Sequence, residues 1–297
     1  MSAPRLPLAR AWHSWLFARG DLRPLAVFRM GWAIAMAADV LHDWGRAAAY
    51  SPERYHVPLL RWAAPLQAAE FHALLRVALA GCLLTFVGVL PRLGALAVTA
   101  TYGYLLFADV LLFRNHVYLG CLLGLLLAAS PCGDALSVQS WVRELRGRPT
   151  AAVGSRVAVQ VIKAEILIVY FWSVVNKLRP SFLDGFTLQQ ELPHSLGDSP
   201  IAAWVSGDHA ALGPILAAWI RSDRAMAICS CAVVLVEAFL VLGLPRRRWR
   251  PYAALAGVAL HGAIFLLMGV ITFGLLTVST YPLFFEREAK RDAKRAS

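Results

Sequence analysis

Residues 94–130 read GALAVTATYGYLLFADVLLFRNHVYLGCLLGLLLAAS, and only Asp109 and Arg114 among them are charged. A bilayer core takes about 20 mostly apolar residues per helix. The stretch therefore holds two crossings, 94–113 and 115–130, joined by a very tight turn. Working outward, the same reading finds candidates at 25–41 and 73–90 before it, and at 157–177, 226–244, 252–269 and 271–285 after it. The expected fold is all-α and polytopic, with about eight transmembrane helices. The last two candidates are nearly continuous, so Met268 and Gly269 must hold the turn. The connection 178–225 is interrupted at Gly207, Asp208 and His209 and again at Gly213 and Pro214, residues that break a helix. It reads as short helices on the outer face between spans five and six. Around the transmembrane domain, 24–285, lie an N-terminal segment, 1–23, and a basic tail, 286–297. In the former, Trp12, Trp15, Leu16 and Phe17 suggest a helix lying in the interface.

Composition supports that class. Of the 297 residues 59% are apolar and 16% charged, against roughly 45–50% and 25% in a soluble domain. That excludes an ordinary soluble enzyme, a disordered chain and a disulfide-stapled module. The formal charge is nevertheless +11, from 29 Lys and Arg against 18 Asp and Glu. With eight spans, 18 of the basic residues fall on the side that carries both termini and eight on the other. The positive-inside rule makes the first side cytoplasmic, in what is expected to be a bacterial inner membrane. The excess is then topological, the bilayer is the first partner, and no nucleic-acid partner is implied. The five cysteines have no metal-ligand spacing and read as small buried hydrophobes. No Walker loop, dinucleotide glycine pattern, zinc helix or serine elbow occurs, and no metal site is expected.

Charges within a bilayer are costly and usually face protein, so each is a candidate functional group. Counting depth from helix ends puts Arg29, Lys163, Glu165 and Glu237 near the inner side, where two cations and two carboxylates are expected to pair as a structural group. Near the outer side the topology gathers Asp39 and His42 from span one, Asp109 from span three, Asn115 and His116 from span four, and Asn176 and Lys177 from span five. His261 lies mid-span in the seventh helix. Lys163, Tyr170 and Lys177, spaced by seven, share one stripe of span five. Lys177 at a dry cavity becomes a candidate proton acceptor, with Tyr170, His261, Asp39, His42 and Asp109 as candidate cavity residues.

Three of these stretches carry a family likeness. FRNHVYLGCLLGLL (113–126), AEILIVYFWSVVNKLRPSFLDGFTL (164–188) and LHGAIFLLMGVITFGLLTVSTYPLFF (260–285) resemble the membrane domain of vitamin K-dependent γ-glutamyl carboxylase. That domain is shared with the bacterial horizontally transferred transmembrane (HTTM) proteins. FRMGWAIAMAADVL (28–41) fits the usual start of such domains. The resemblance implies that Lys177 is a base toward reduced vitamin K or another quinol, with His116 and Asn115 in the same active site. It also implies O2 and CO2 as co-substrates and a carboxylase–epoxidase activity of the carbon–carbon lyase class. The chain departs from the carboxylase in having Asn176-Lys177 for paired lysines and Phe182 for a tryptophan. It also lacks a counterpart of the large lumenal substrate-holding domain, which points either to a small-molecule or short-peptide substrate or to loss of carboxylation altogether. A weaker likeness is to the sporulation-delaying protein B group, which is associated with maturing a secreted peptide. Three functions stand open at this point: a quinol-dependent enzyme, a non-catalytic factor for maturation or export of a secreted peptide, and a transporter or proton pathway through Arg29, Lys163, Glu165 and Glu237.

Overall fold

The computed structural model describes residues 13, 15–46, 66–108, 113–148, 153–197, 199–206 and 212–286. Trp12, Asp109 and the interruption at Gly207, Asp208 and His209 lie outside the described residues. The chain divides into two units, residues 1–163 with 285–297, and residues 164–284.

In the first unit, strand β1 (Arg19–Asp21) leads into α1 (Arg23–Arg46), followed by α2 (Ala68–Val87), α3 (Pro91–Ala108), α4 (Asn115–Ala128), α5 (Val138–Leu145) and β2 (Val153–Ser155). The long apolar runs leave their backbones no partner in lipid other than themselves, so they become helices. Local signals set their ends. Gln67 and Glu70 form a capping box at the start of α2, and Gly88 ends it at φ +76°. Helices α2 and α3 approach so closely that a Cβ on Gly94 would lie 2.6 Å from the Gly81 carbonyl oxygen, the small-residue contact that packs helices in lipid. Trp32 of α1 donates its indole N–H to Gly120 of α4 at 2.9 Å.

Arg29, fully buried in α1, acts on backbone rather than on carboxylates. It donates to the carbonyls of Cys132 and Leu136 at 2.6 Å, and more weakly to those of Ala135 and Phe86 at 3.4 and 3.5 Å. These bonds fix the loop before α5, whose Val138, Trp141, Val142 and Leu145 make one apolar face, with Trp141 and Leu145 exposed. Helix α6 (Val157–Lys177) starts in the first unit. There Arg156 and Lys163 both donate to Glu286, at 2.9 and 3.0 Å, and the Glu286 side chain is wholly buried. The antiparallel ribbon of β1 and β2, with Arg19 opposite Ser155, is the one piece of strand among the described residues, and hydropathy does not foretell it.

The second unit holds the rest of α6 and four short helices, α7 (Pro180–Leu183), α8 (Phe186–Leu196), α9 (Pro200–Ser206) and α10 (Gly213–Ile220). Three longer ones follow, α11 (Asp223–Gly243), α12 (Arg250–Met268) and α13 (Ile271–Phe284). The described residues of the connection after α6 thus form short helices. Leu192 of α8 and Ile220 of α10 close over Met226 of α11. Gly185 sits at φ +88° with the α11 backbone where its Cβ would be, 2.5 Å from the Ala227 nitrogen. The break between α12 and α13 falls at Gly269, φ +69°, where glycine adopts the left-handed cap at no steric cost.

Each of the eight apolar stretches of the sequence holds a helix among the described residues. Among the described residues five helices are long and apolar enough to cross a membrane: Arg23–Gly45, Ala68–Val87, Val157–Lys177, Asp223–Gly243 and Arg250–Met268. Asn115–Ala128 and Ile271–Phe284 are shorter apolar helices. The protein is an all-α, multi-pass integral membrane protein.

Candidate functional site

In the second unit, Tyr170, Ser173 and Lys177 lie at i, i+3 and i+7 on α6 and so share a face. Opposite them α11 presents Glu237, whose side chain is 8% exposed. Lys177 Nζ donates to both Glu237 carboxylate oxygens at 2.9 Å and to Ser173 Oγ. Ser173 in turn donates to Glu237 Oε1 at 3.0 Å. Lys177 remains 25% exposed, with its ammonium 5.8 Å from the centre of the Phe182 ring. The carboxylate is buried and accepts from Lys177 and Ser173, whereas the ammonium is reachable.

Beside this pair lies a hydroxyl network. The Tyr170 hydroxyl is 2.8 Å from His261 Nε2 on α12 and 2.7 Å from the Tyr281 hydroxyl on α13. Thr277 Oγ1 is 3.0 Å from the same imidazole nitrogen. Tyr170, His261, Tyr281 and Thr277 are all buried. Gly257 gives Tyr281 its place, since a Cβ there would lie 2.2 Å from the phenol oxygen. Glu237 is close enough for its charge to act on Tyr170, and Lys177 close enough to act on His261. The ion pair and the network thus form one polar layer.

A second cluster belongs to the first unit. Arg114, which precedes α4, bridges two buried carboxylates of α1, Asp43 at 2.5 Å and Asp39 at 3.4 Å. His116 Nε2 lies 3.6 Å from Asp39 Oδ1, and the Tyr102 hydroxyl donates to Asp43 at 3.4 Å. Burial works against the Arg114 charge, but the two carboxylates outweigh it and hold the guanidinium above the ordinary arginine range. The cation that orders this cluster therefore stays charged.

The structure brings Tyr170 to His261, and Asp39 to His116, as close neighbours. Asn115 is exposed at the first turn of α4, and His42 and Asn176 are exposed near the ends of α1 and α6. Asp109 lies outside the described residues. One expectation is corrected. Arg29, Lys163 and Glu237 do not depend on one another for partners: Arg29 binds carbonyls, Lys163 binds Glu286, and Glu237 binds Lys177. Glu165 is half-buried with no partner among the described residues. Counting depth from helix ends assumes that helices begin and end at one level. Glu237 sits 14 residues into α11, about 21 Å along it, yet meets the last residue of α6. The short helices between them carry the start of α11 well past the end of α6.

The HTTM domain family model matches residues 17–288. The chain belongs to the HTTM domain family. No curated protein and no solved structure matches it. In this HTTM domain the matched region takes in β1 and Glu286 as well as the apolar helices, so the buried charge knot at Glu286 lies inside the family's extent. Sequence reading missed Ser173, Thr277 and Tyr281 in the second unit, and Asp43, Tyr102 and Arg114 in the first. The available signals were spacings of four, Ser173 with Lys177, Thr277 with Tyr281 and Asp39 with Asp43, each placing two polar side chains on one helix face.

Proposed function

We propose that this HTTM domain protein is a quinol-dependent membrane enzyme in which Lys177 takes a proton from a hydroxyl of the lipid-borne substrate. The observation that carries the reading is the reachable Lys177 ammonium held against the buried Glu237 carboxylate and Ser173. A protonated amine cannot act as a base, but its partner can take the proton. An ion pair loses much of its advantage over the neutral pair as water leaves. When an apolar ring covers Lys177, one Nζ–H bond breaks and a proton passes to Glu237 Oε. The amine lone pair then faces the substrate hydroxyl, takes its proton and becomes ammonium again. Ser173 holds both partners in register through the exchange.

The donor set fits such a ligand, since it offers an amine, phenols and an imidazole within an otherwise apolar layer. When bound, a reduced quinone of the vitamin K type supplies reducing power toward O2, and by the resemblance of 164–188 it also supplies the base strength for CO2 addition. Asn115 and His116 enter the proposal through that resemblance. The orientation with both termini cytoplasmic, and the inner membrane of a bacterium as its site, belong to the same reading. They rest on the sorting of 18 basic residues to one side. A short secreted peptide or a small molecule is the expected acceptor.

The test is quinol-dependent O2 uptake and bicarbonate fixation by purified protein in lipid nanodiscs. Lys177→Met is expected to abolish both while the protein keeps its helicity. Glu237→Gln, which keeps the shape but cannot store the proton at neutral cost, should reduce turnover by about 10²–10⁴-fold. Full activity in Lys177→Met would refute the proposal.

A further inference from the structure

The loop after α2 and the segment that follows α4 meet at one end of the first unit, where the Gln139 N–H donates to the Gly88 carbonyl at 3.1 Å. Between them lies a pocket of about 440 Å³, whose lining includes Leu90, Arg92, Leu93, Asp134, Gln139 and Arg143. Its polar side is only partly used. Arg92 donates through Nε to the Ser130 carbonyl at 2.7 Å, and Arg143 through Nη1 to Asp134 Oδ1 at 2.6 Å. The terminal nitrogens of Arg92, and Nε and Nη2 of Arg143, have no hydrogen bond among the described residues. With Asp134 matched by Arg143, the charge of Arg92 is left in excess. The walls are held in advance, because Arg29 binds the Cys132 and Leu136 carbonyls on either side of Asp134.

The same pocket has an apolar side that water does not favour. Leu90 is 57% exposed and Leu93 59%. Leu90 also sits at φ +48°, a left-handed conformation that leucine adopts only at a steric cost. In water such a residue is unfavourable twice, through its backbone and through its exposed side chain. Beside an acyl chain, burial of the side chain offsets the strain. Leu136, in the loop before α5, repeats the arrangement at φ +45° and 56% exposure. Among the described residues these two leucines are the non-glycine residues at positive φ.

Unused guanidinium edges fit a phosphate, and exposed leucines beside them fit the chains attached to it. We propose that this pocket binds the headgroup of an anionic phospholipid, with Arg92 and Arg143 on the phosphate and Leu90 and Leu93 against the upper acyl chains. The Gln139 amide adds a neutral donor for the headgroup. A free phosphate ion would use the arginines and leave both leucines in water, so the lipid is the better occupant. The site belongs to the first unit and does not depend on the enzyme reading of Lys177.

Native mass spectrometry of the full-length protein in detergent counts bound lipid as dioleoyl phosphatidylglycerol is titrated in. Dioleoylglycerol supplies the same chains without the phosphate. The protein should bind one phosphatidylglycerol at least about tenfold more tightly than dioleoylglycerol. Arg92→Gln should weaken that binding by about five- to ten-fold, the effect of one arginine beside a lipid phosphate. Arg143→Gln should weaken it further, because Asp134 then faces the phosphate without its cation. That variant also serves if Arg92→Gln fails to fold. Arg148→Gln removes an exposed arginine outside the pocket and should leave binding unchanged.

Equal losses in all three variants would overturn the proposal, since the attraction would then belong to the basic surface as a whole. Equal binding of phosphatidylglycerol and dioleoylglycerol would overturn it as well. So would displacement of the lipid by an equimolar amount of inorganic phosphate, which would make the pocket a site for the free ion.

Discussion

The Lys177–Glu237 pair is expected to break unequally from its two ends. Lys177 Nζ meets Glu237 at 2.9 Å, with side-chain exposures of 25% and 8%. In Lys177→Met the buried carboxylate keeps Ser173 as its remaining donor. Removing the cation alone leaves an uncompensated buried charge, and a loss of about 3–4 kcal/mol is expected. In Glu237→Leu the ammonium sits on a flexible four-carbon stem and is already partly exposed, so it can reach water or headgroups. The expected cost is about 1–2 kcal/mol. The double variant leaves no buried charge and should lie within about 1 kcal/mol of wild type, a coupling of about 3 kcal/mol or more.

Reversible unfolding in mixed micelles, followed by far-ultraviolet circular dichroism, measures all four proteins. Equal costs for the two single variants, or additive behaviour in the double, would each show that the carboxylate is not buried behind the lysine as described.

Two further outcomes follow from the packing. Arg29→Met strips two strong donors from the loop carbonyls of Cys132 and Leu136 and should cost about 2–4 kcal/mol, with faster hydrogen exchange confined first to the loop 130–137. Arg29→Lys recovers only part, because one ammonium cannot span the carbonyls of Cys132 and Leu136 together. Gly257→Ala places a Cβ 2.2 Å from the Tyr281 oxygen and 2.7 Å from its Cζ, and a loss of about 1–3 kcal/mol is expected in unfolding experiments. Adding Tyr281→Phe should return part of that loss, since the ring carbon remains close. No recovery at all would mean that the clash is not the cause.

The helices were legible because hydropathy and backbone satisfaction in lipid act on each stretch separately. Gly269 was legible for a similar reason: a turn between two apolar runs needs a residue tolerant of positive φ, and Gly269 adopts φ +69°. Tyr170, Lys177 and His261 stood out because polar side chains are rare within such runs. What could not be read was which of them meet. Glu237 was expected at another depth because its partner depends on how far the short helices α7–α10 displace α11, which no local pattern records. Arg29 was expected to need a carboxylate, whereas a guanidinium with five donors is equally well served by a loop of carbonyls. The partners of His261 came from helices whose relative rotation is set by Gly257 and Gly274, residues that read as ordinary glycines in the sequence.

Glu286 gives the protein a timetable. It lies 130 residues after Arg156 and 123 after Lys163, and the whole of the second unit is synthesised in between. At about 5–20 residues per second, translation takes roughly 6–25 s to cover that interval. The first unit therefore cannot close its charge knot as it emerges; it receives its last carboxylate only after the second unit has been made. A ribosome stalled within α11–α13 would leave Arg156 and Lys163 without the acid that joins them, which makes completion of the first unit a report that the second has been read to its end.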